Sequence, residues 1–190
     1  MKRRDMLAAP MLLLMAAAAA SGSYAPVKTD HGWTQSWFSE TFLRLPEDLA
    51  EATAAGKRFA VVFDQRGCPY CVEMHTDHLT RPEIADYIRE RFVIVQLDLH
   101  GSREVVDFDG QALEERQLAR KWRVTFTPTI VFFPDTQTTP PGRSGREIEV
   151  ARMHGLLKPD QFLGIFVFVA EKAYADGTGF LAWWAARSRS

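Results

Sequence analysis

The sequence predicts an α/β fold built as one domain, and three observations predict it. A strand-like run, Phe59–Asp64, feeds into Cys68, Pro69, Tyr70 and Cys71, which open a helical pattern over Val72–Leu79. A second run rich in β-branched residues, Phe92–Leu99, reads as a buried strand. A third, Thr129–Phe133, starts just after Pro128 and is followed by a polar turn, another strand pattern and a helix from Pro159. Strands alternating with helical stretches are the pattern of layered α/β domains.

The first twenty residues stand apart. Lys2, Arg3 and Arg4 precede an apolar stretch, Leu7–Ala20, broken only by Pro10, and then come Ser21, Gly22 and Ser23. A charged start, a short apolar run and small residues describe an export signal. Arg3 and Arg4 ahead of Met6 and Leu7 also resemble a twin-arginine signal, so residues 1–20 are read as a signal peptide of the Sec or twin-arginine type. The apolar run is shorter than the ~20 residues of a membrane span. The expected compartment is therefore the bacterial periplasm, where disulfide chemistry is permitted.

An arm over residues 21–42 follows, and its Trp33, Trp37, Phe38 and Phe42 are expected to lie against the domain. From Pro46 to Gly56 a short helix is predicted: proline at its start, Glu47 and Asp48 in its first turn, glycine past its end. Beyond Leu79, Arg81 and Pro82 break the helix, which restarts over Glu83–Arg91. His100–Gly110 reads as a polar surface loop, Gln111–Trp122 as a helix, Pro134–Arg146 as a turn and Glu147–His154 as a strand. Gly155 stops that strand, and the helix opened by Pro159 carries Phe162, Phe166 and Val169 on one face. The domain spans residues 43–175. A tail over 176–190 is apolar and then basic, and it either touches a membrane or folds back.

Composition excludes some functions. The 190 residues are 46% apolar with a formal net charge of −1, enough to bury a core. Removing the three basic residues and the one acidic residue of the signal leaves the chain near −3. No basic block lies outside the N-terminus, so nucleic acid is not a partner.

Chemistry concentrates at the two cysteines. The first turn of a helix offers unpaired N–H groups and the positive end of the macrodipole, which favour a thiolate on Cys68. A spacing of three brings Cys71 beneath it, within reach of a disulfide. Pro69 suits the first helical position because it needs no N–H partner there. A zinc site usually takes a second cysteine pair, and there is none. A metal-binding or chaperone module using Cys68, Cys71 and His75 remains the reading from another class, although His75 and His78, among Glu73, Thr76 and Asp77, read more simply as a solvated face. A purely structural bridge over so short a loop would stabilise the fold weakly. Redox exchange is the stronger reading.

Taken together, Cys68-Pro69-Tyr70-Cys71 at the head of a helix, Thr127-Pro128 ahead of a strand, and the closing strand and helix resemble the thioredoxin family. The resemblance covers roughly residues 43–175 and implies a central mixed sheet flanked by helices. It implies that Cys68 attacks a partner disulfide and Cys71 resolves the mixed disulfide. It also implies that Pro128 is a cis-proline facing the cysteines, that Thr127 offers backbone to substrate beside Pro69 and Tyr70, and that no cofactor is used. Glutaredoxins share the tetrapeptide, but no Gly-Gly pair follows the last strands here. Gly67 stands where thioredoxins carry tryptophan. Val62 and Gln96 stand where they carry a buried aspartate and its lysine, which leaves Glu73 or water as proton acceptor for Cys71.

Gly56–Phe59, Gln65–Cys71, Gln96–Val105 and Phe126–Phe133 together resemble more particularly the periplasmic thioredoxins of bacterial sulfur-oxidation systems. That resemblance implies a monomeric reductant of protein disulfides, a sulfur-carrier protein among them, fed by a membrane thiol transporter. A periplasmic disulfide oxidase or isomerase is the alternative within the same chemistry.

Overall fold

A computed structural model describes residues 24–189; the export signal expected over residues 1–20 lies outside them. An antiparallel hairpin, β1 (Pro26–Thr29) and β2 (Gly32–Gln35), comes first. It is followed by α1 (Leu45–Ala54), β3 (Arg58–Asp64), α2 (Pro69–Thr76), a 3-10 turn over His78–Thr80, α3 (Pro82–Arg91) and β4 (Phe92–Asp98). A two-stranded ribbon, β5 (Glu104–Val106) and β6 (Ala112–Glu114), leads into α4 (Glu115–Lys121) and β7 (Thr129–Phe132). The short helix α5 (Gly145–Ile148), β8 (Ala151–His154), α6 (Pro159–Ala170) and α7 (Phe180–Arg187) complete the order.

The central sheet runs β4-β3-β7-β8, with β3 parallel to β4 and antiparallel to β7. It is the mixed sheet flanked by helices that the family resemblance implies. A parallel pair needs a long crossover, and α2 and α3 provide it. Side chains alternate across the sheet, so β3 serves both faces. Ala60 and Val62 enter a core with Met74, Ile84, Phe162 and Phe166; Phe59, Val61 and Phe63 enter a second core with Leu49, Leu118 and Trp122. By the same alternation Asp64 lies on the face of Val62, one step nearer the start of α2.

Several elements differ from their sequence reading. His100–Gly110 is more than a polar loop: Glu104–Val106 pairs with Ala112–Glu114, and Val105, Asp107 and Phe108 are buried. The helix expected from Gln111 therefore starts at Glu115, where Glu114 and Gln117 form a capping box. The strand expected over Glu147–His154 begins only at Ala151: Glu147 and Ile148 are helical, because Ser144 and Glu147 cap each other at the start of α5. In the arm, Phe38 is buried and Trp37 lies against it, whereas Phe42 is 95% exposed. Phe42 precedes the left-handed Leu43, whose own side chain takes the inward position. The tail folds back as α7, with Phe180 and Trp183 against Phe168. Among the described residues no helix is long and apolar enough to cross a membrane.

Candidate active site

The site lies where β3 ends and α2 begins. Gly67, at φ +77, turns the chain in a conformation that a side chain would resist. Cys68 then takes the N-cap position with extended backbone, and its sulfur accepts the Cys71 N–H at 3.1 Å. Pro69 is the first helical residue. Cys68 and Cys71 form a disulfide with Cα atoms 5.2 Å apart, within the ordinary range. Both are about 5% exposed, 5% and 4%, so accessibility does not distinguish them; the N-cap position does.

Next to the buried sulfurs in the chain, and next to the Thr127 that meets Cys68, the exposed side chains are apolar. Tyr70, Val72 and Phe126 are exposed, and Pro69 beside them is also exposed. The Thr127–Pro128 peptide is cis, both residues are buried, and the Thr127 carbonyl oxygen lies 3.4 Å from the Cys68 sulfur. Phe126 leans on the His154 ring, with centroids 5.6 Å apart. Loss of water around that ring, and then Arg152, push the His154 pKa below its ordinary value.

Behind the disulfide sits a polar cluster that the sequence reading did not assemble. Asp64 is 6% exposed, and one carboxylate oxygen lies within 4.8 Å of both sulfurs. Its Oδ2 accepts from His75 Nε2 at 2.7 Å and from Gln96 Nε2 at 2.9 Å. Gln35, on β2, donates to the His75 carbonyl at 2.9 Å, and Gln96 donates to the Trp33 carbonyl at 2.8 Å. The hairpin is thus tied to both α2 and β4.

His75 and His78 are not on a solvated face: they are 0% and 1% exposed. Glu73 and Thr76 are exposed as expected, but a helix turns about 100° per residue, so His75 falls on the inner stripe with Cys71, Met74 and Leu79. The four-residue step from Cys71 to His75 was the available signal. His78 Nε2 meets the Leu157 carbonyl at 2.9 Å, and its ring edge meets Phe162, so it holds α6 in place. The acid that joins the two cysteines is Asp64. His75 is tied to that acid through Nε2 and is not itself one of the three groups that converge, and Glu73 is exposed.

A cleft of about 390 Å³ runs between the hairpin tip, Lys28–Trp33, and residues 64–68, and reaches both cysteines. Arg66 closes one side by donating to the Asp30 carbonyl.

Strand, turn, N-capping cysteine, resolving-distance cysteine and facing cis-proline define a thiol–disulfide oxidoreductase. Residues 45–170 match the thioredoxin-like domain family, and the chain belongs to it. A solved thioredoxin from Thermus thermophilus is 30% identical, with a TM-score of 0.54, over 73% of this chain and 95% of that one. A thioredoxin-fold protein from Helicobacter pylori is 23% identical, with a TM-score of 0.51, over 71% and 84%. No protein with a curated description matches the chain.

Proposed function

We propose that the chain is an exported, monomeric reductant of protein disulfides that serves a bacterial sulfur-oxidation system. The observation that carries protein-disulfide exchange is a buried disulfide ringed by exposed Tyr70, Val72 and Phe126, a surface suited to an extended partner chain rather than to a solvated small thiol. In the disulfide the Cys68 sulfur accepts the Cys71 N–H and caps α2, and the same N-cap position favours a thiolate on Cys68 once the bond is reduced. That thiolate attacks a sulfur of the partner disulfide and expels the other partner sulfur. Cys71 then attacks Cys68, releasing the reduced partner and leaving the Cys68–Cys71 disulfide.

Resemblance of Gln65–Cys71, Gln96–Val105 and Phe126–Phe133 to sulfur-oxidation thioredoxins supports the system, and the charged and apolar N-terminus supports a periplasmic address. The partners that follow are a sulfur-carrier protein as acceptor of electrons and a membrane thiol transporter as donor.

Trapping tests this. Cys71→Ser stalls exchange at the mixed disulfide, so the variant expressed in its own periplasm should accumulate as a higher-mass adduct dissolved by dithiothreitol. Recovery of a sulfur-carrier subunit or a membrane thiol transporter is the expected result. A broad mixture of periplasmic proteins would replace this reading with a general oxidase or isomerase.

A further inference from the structure

Proton transfer for Cys71 has no acid at the strand position where thioredoxins carry one, since Val62 is there and is buried among apolar side chains. Asp64, two residues on and on the same face, comes within 4.8 Å of both sulfurs instead. Its two oxygens differ. Oδ2 is held by His75 and Gln96, while Oδ1 is buried and makes no hydrogen bond. A buried, unbonded carboxylate oxygen costs free energy unless something uses it. The thiols of the reduced protein are within reach of this carboxylate and can donate a proton to it.

The orientation of Asp64 depends on the hairpin. Gln35 Nε2 donates to the His75 carbonyl at 2.9 Å, which fixes which end of the amide faces the helix. The same nitrogen lies 3.4 Å from His75 Nδ1, so Nδ1 accepts and the ring proton sits on Nε2, aimed at Asp64. Gln96 adds a second donor to the same oxygen. Gln35 and the Trp33 carbonyl that receives Gln96 lie outside the matched family domain, residues 45–170.

We propose that Asp64 Oδ1 takes the Cys71 thiol proton during resolution, and that His75, set by Gln35 of the N-terminal hairpin, positions Asp64 for it. The inference rests on the exchange reading above. In the mixed disulfide, the Cys71 S–H proton passes to Oδ1 and the Cys71 thiolate attacks the Cys68 sulfur. The Cys68–Cys71 bond forms, and the bond from Cys68 to the partner sulfur breaks with its electron pair on the partner. Two electrons leave the dithiol and reduce the partner disulfide, and the partner thiolate regains a proton from water or from Asp64 through the cleft beside it. Asp64 is a catalytic residue in this step; His75, Gln35 and Gln96 are positioning residues. The charged or titratable groups around Asp64 are His75 from α2, Asp98 as its register neighbour on β4 and, across the cleft, Lys28, Asp30 and His31 of the hairpin tip and Arg66 of the loop.

The test is stopped-flow reaction of the full reduced protein with 5,5′-dithiobis(2-nitrobenzoate). The first release of thionitrobenzoate reports attack by one cysteine; the second reports resolution. Asp64→Asn keeps the shape and should slow the second release at least tenfold at pH 7 while changing the first less than twofold. Between pH 6 and pH 8 the second release of Asp64→Asn should depend on pH more steeply than that of wild type, climbing toward about tenfold per pH unit as hydroxide replaces the carboxylate. His75→Leu and Gln35→Leu should slow it about threefold to tenfold, and His75→Gln, which restores a donor to Oδ2, should recover most of the loss. If Asp64→Asn does not fold, the pair of His75 variants carries the test alone. A second release unchanged in rate and pH profile in Asp64→Asn, or equal in both His75 variants and wild type, overturns the assignment while the first release keeps the exchange reading intact. Absence of both releases in wild type would overturn the exchange reading itself.

Discussion

Trp122 and Gly145 meet with no side chain between them: a Cβ on Gly145 would fall 2.1 Å from Trp122 Cζ2. Trp122 is fully buried, and its Nε1 donates to Asp107 Oδ1 at 3.1 Å, the oxygen that also accepts the Gly145 N–H at 2.9 Å. Lys121 Nζ lies 2.7 Å from the other oxygen of Asp107. One carboxylate thus joins α4 to the start of α5. Overfilling a fixed core site costs about 1–3 kcal/mol, so Gly145→Ala should lower the thermal midpoint by several degrees in a calorimetric scan. An unchanged midpoint would mean that α5 moves aside freely.

The C-terminal helix is held by a similar contact with a softer neighbour. A Cβ on Gly164 would lie 2.4 Å from Trp184 Cζ3, so Gly164→Ala should push α7 off α6. Trp184 is only part-buried, and the loss should stay near or below about 1 kcal/mol of global stability. Limited proteolysis should clip the chain between residues 176 and 190 faster in the variant, with the rate of disulfide exchange unaltered.

Asp48 gives stability a pH dependence. Burial raises its pKa to about 6 from the ordinary 3.8, and the hydrogen bond from Thr41 at 3.1 Å offsets only part of that. The folded protein favours the protonated acid, so this contribution is complete below about pH 3.8 and is lost as pH rises through about 6. Asp48→Asn should flatten that loss and stabilise the protein at pH 7, with a ceiling of about 3 kcal/mol. Urea midpoints at pH 4 and pH 7 check it; equal shifts at both pH values would exclude Asp48 as the source.

Tyr70 and Phe126 flank the disulfide and are 61% and 48% exposed. Aromatic anchors of this kind are each worth about 1–2 kcal/mol of binding, so Tyr70→Ser or Phe126→Ser should raise KM for a protein disulfide by roughly 5- to 30-fold. The rate with a small disulfide reagent should change little. Steady-state kinetics with insulin and with the reagent separate the two, and equal losses would place the aromatics in the chemistry rather than in docking.

Reduced protein treated with limiting iodoacetamide should be labelled on Cys68 well before Cys71. The two sulfurs are equally buried in the disulfide, so the preference must come from the N-cap position and the Cys71 N–H that the Cys68 sulfur accepts. Peptide mass spectrometry reads the ratio, and equal labelling would remove the electrostatic argument.

Local rules in the sequence alone determined the order of strands and helices around the cysteines. Strand runs at Phe59–Asp64 and Phe92–Leu99, proline at the head of α1, α2, α3 and α6, and the three-residue cysteine spacing each act within a few residues, so they are legible there. Even α5 was legible in principle, because Ser144 and Glu147 spell a capping box, and the strand-like alternation Ile148-Glu149-Val150 after them masked it. The cluster behind the disulfide belongs to the tertiary structure. Gln35, Asp64, His75 and Gln96 come from β2, β3, α2 and β4, and nothing local says that these four meet. Alternation puts Asp64 on the face of Val62, but only the seating of α2 on that face turns a strand-end carboxylate into a buried one. Docking of the hairpin adds Gln35, at Nδ1 and at the backbone carbonyl, to the Asp64 partner that β3 supplies, so that His75, among polar neighbours in the chain, is buried with both ring nitrogens met.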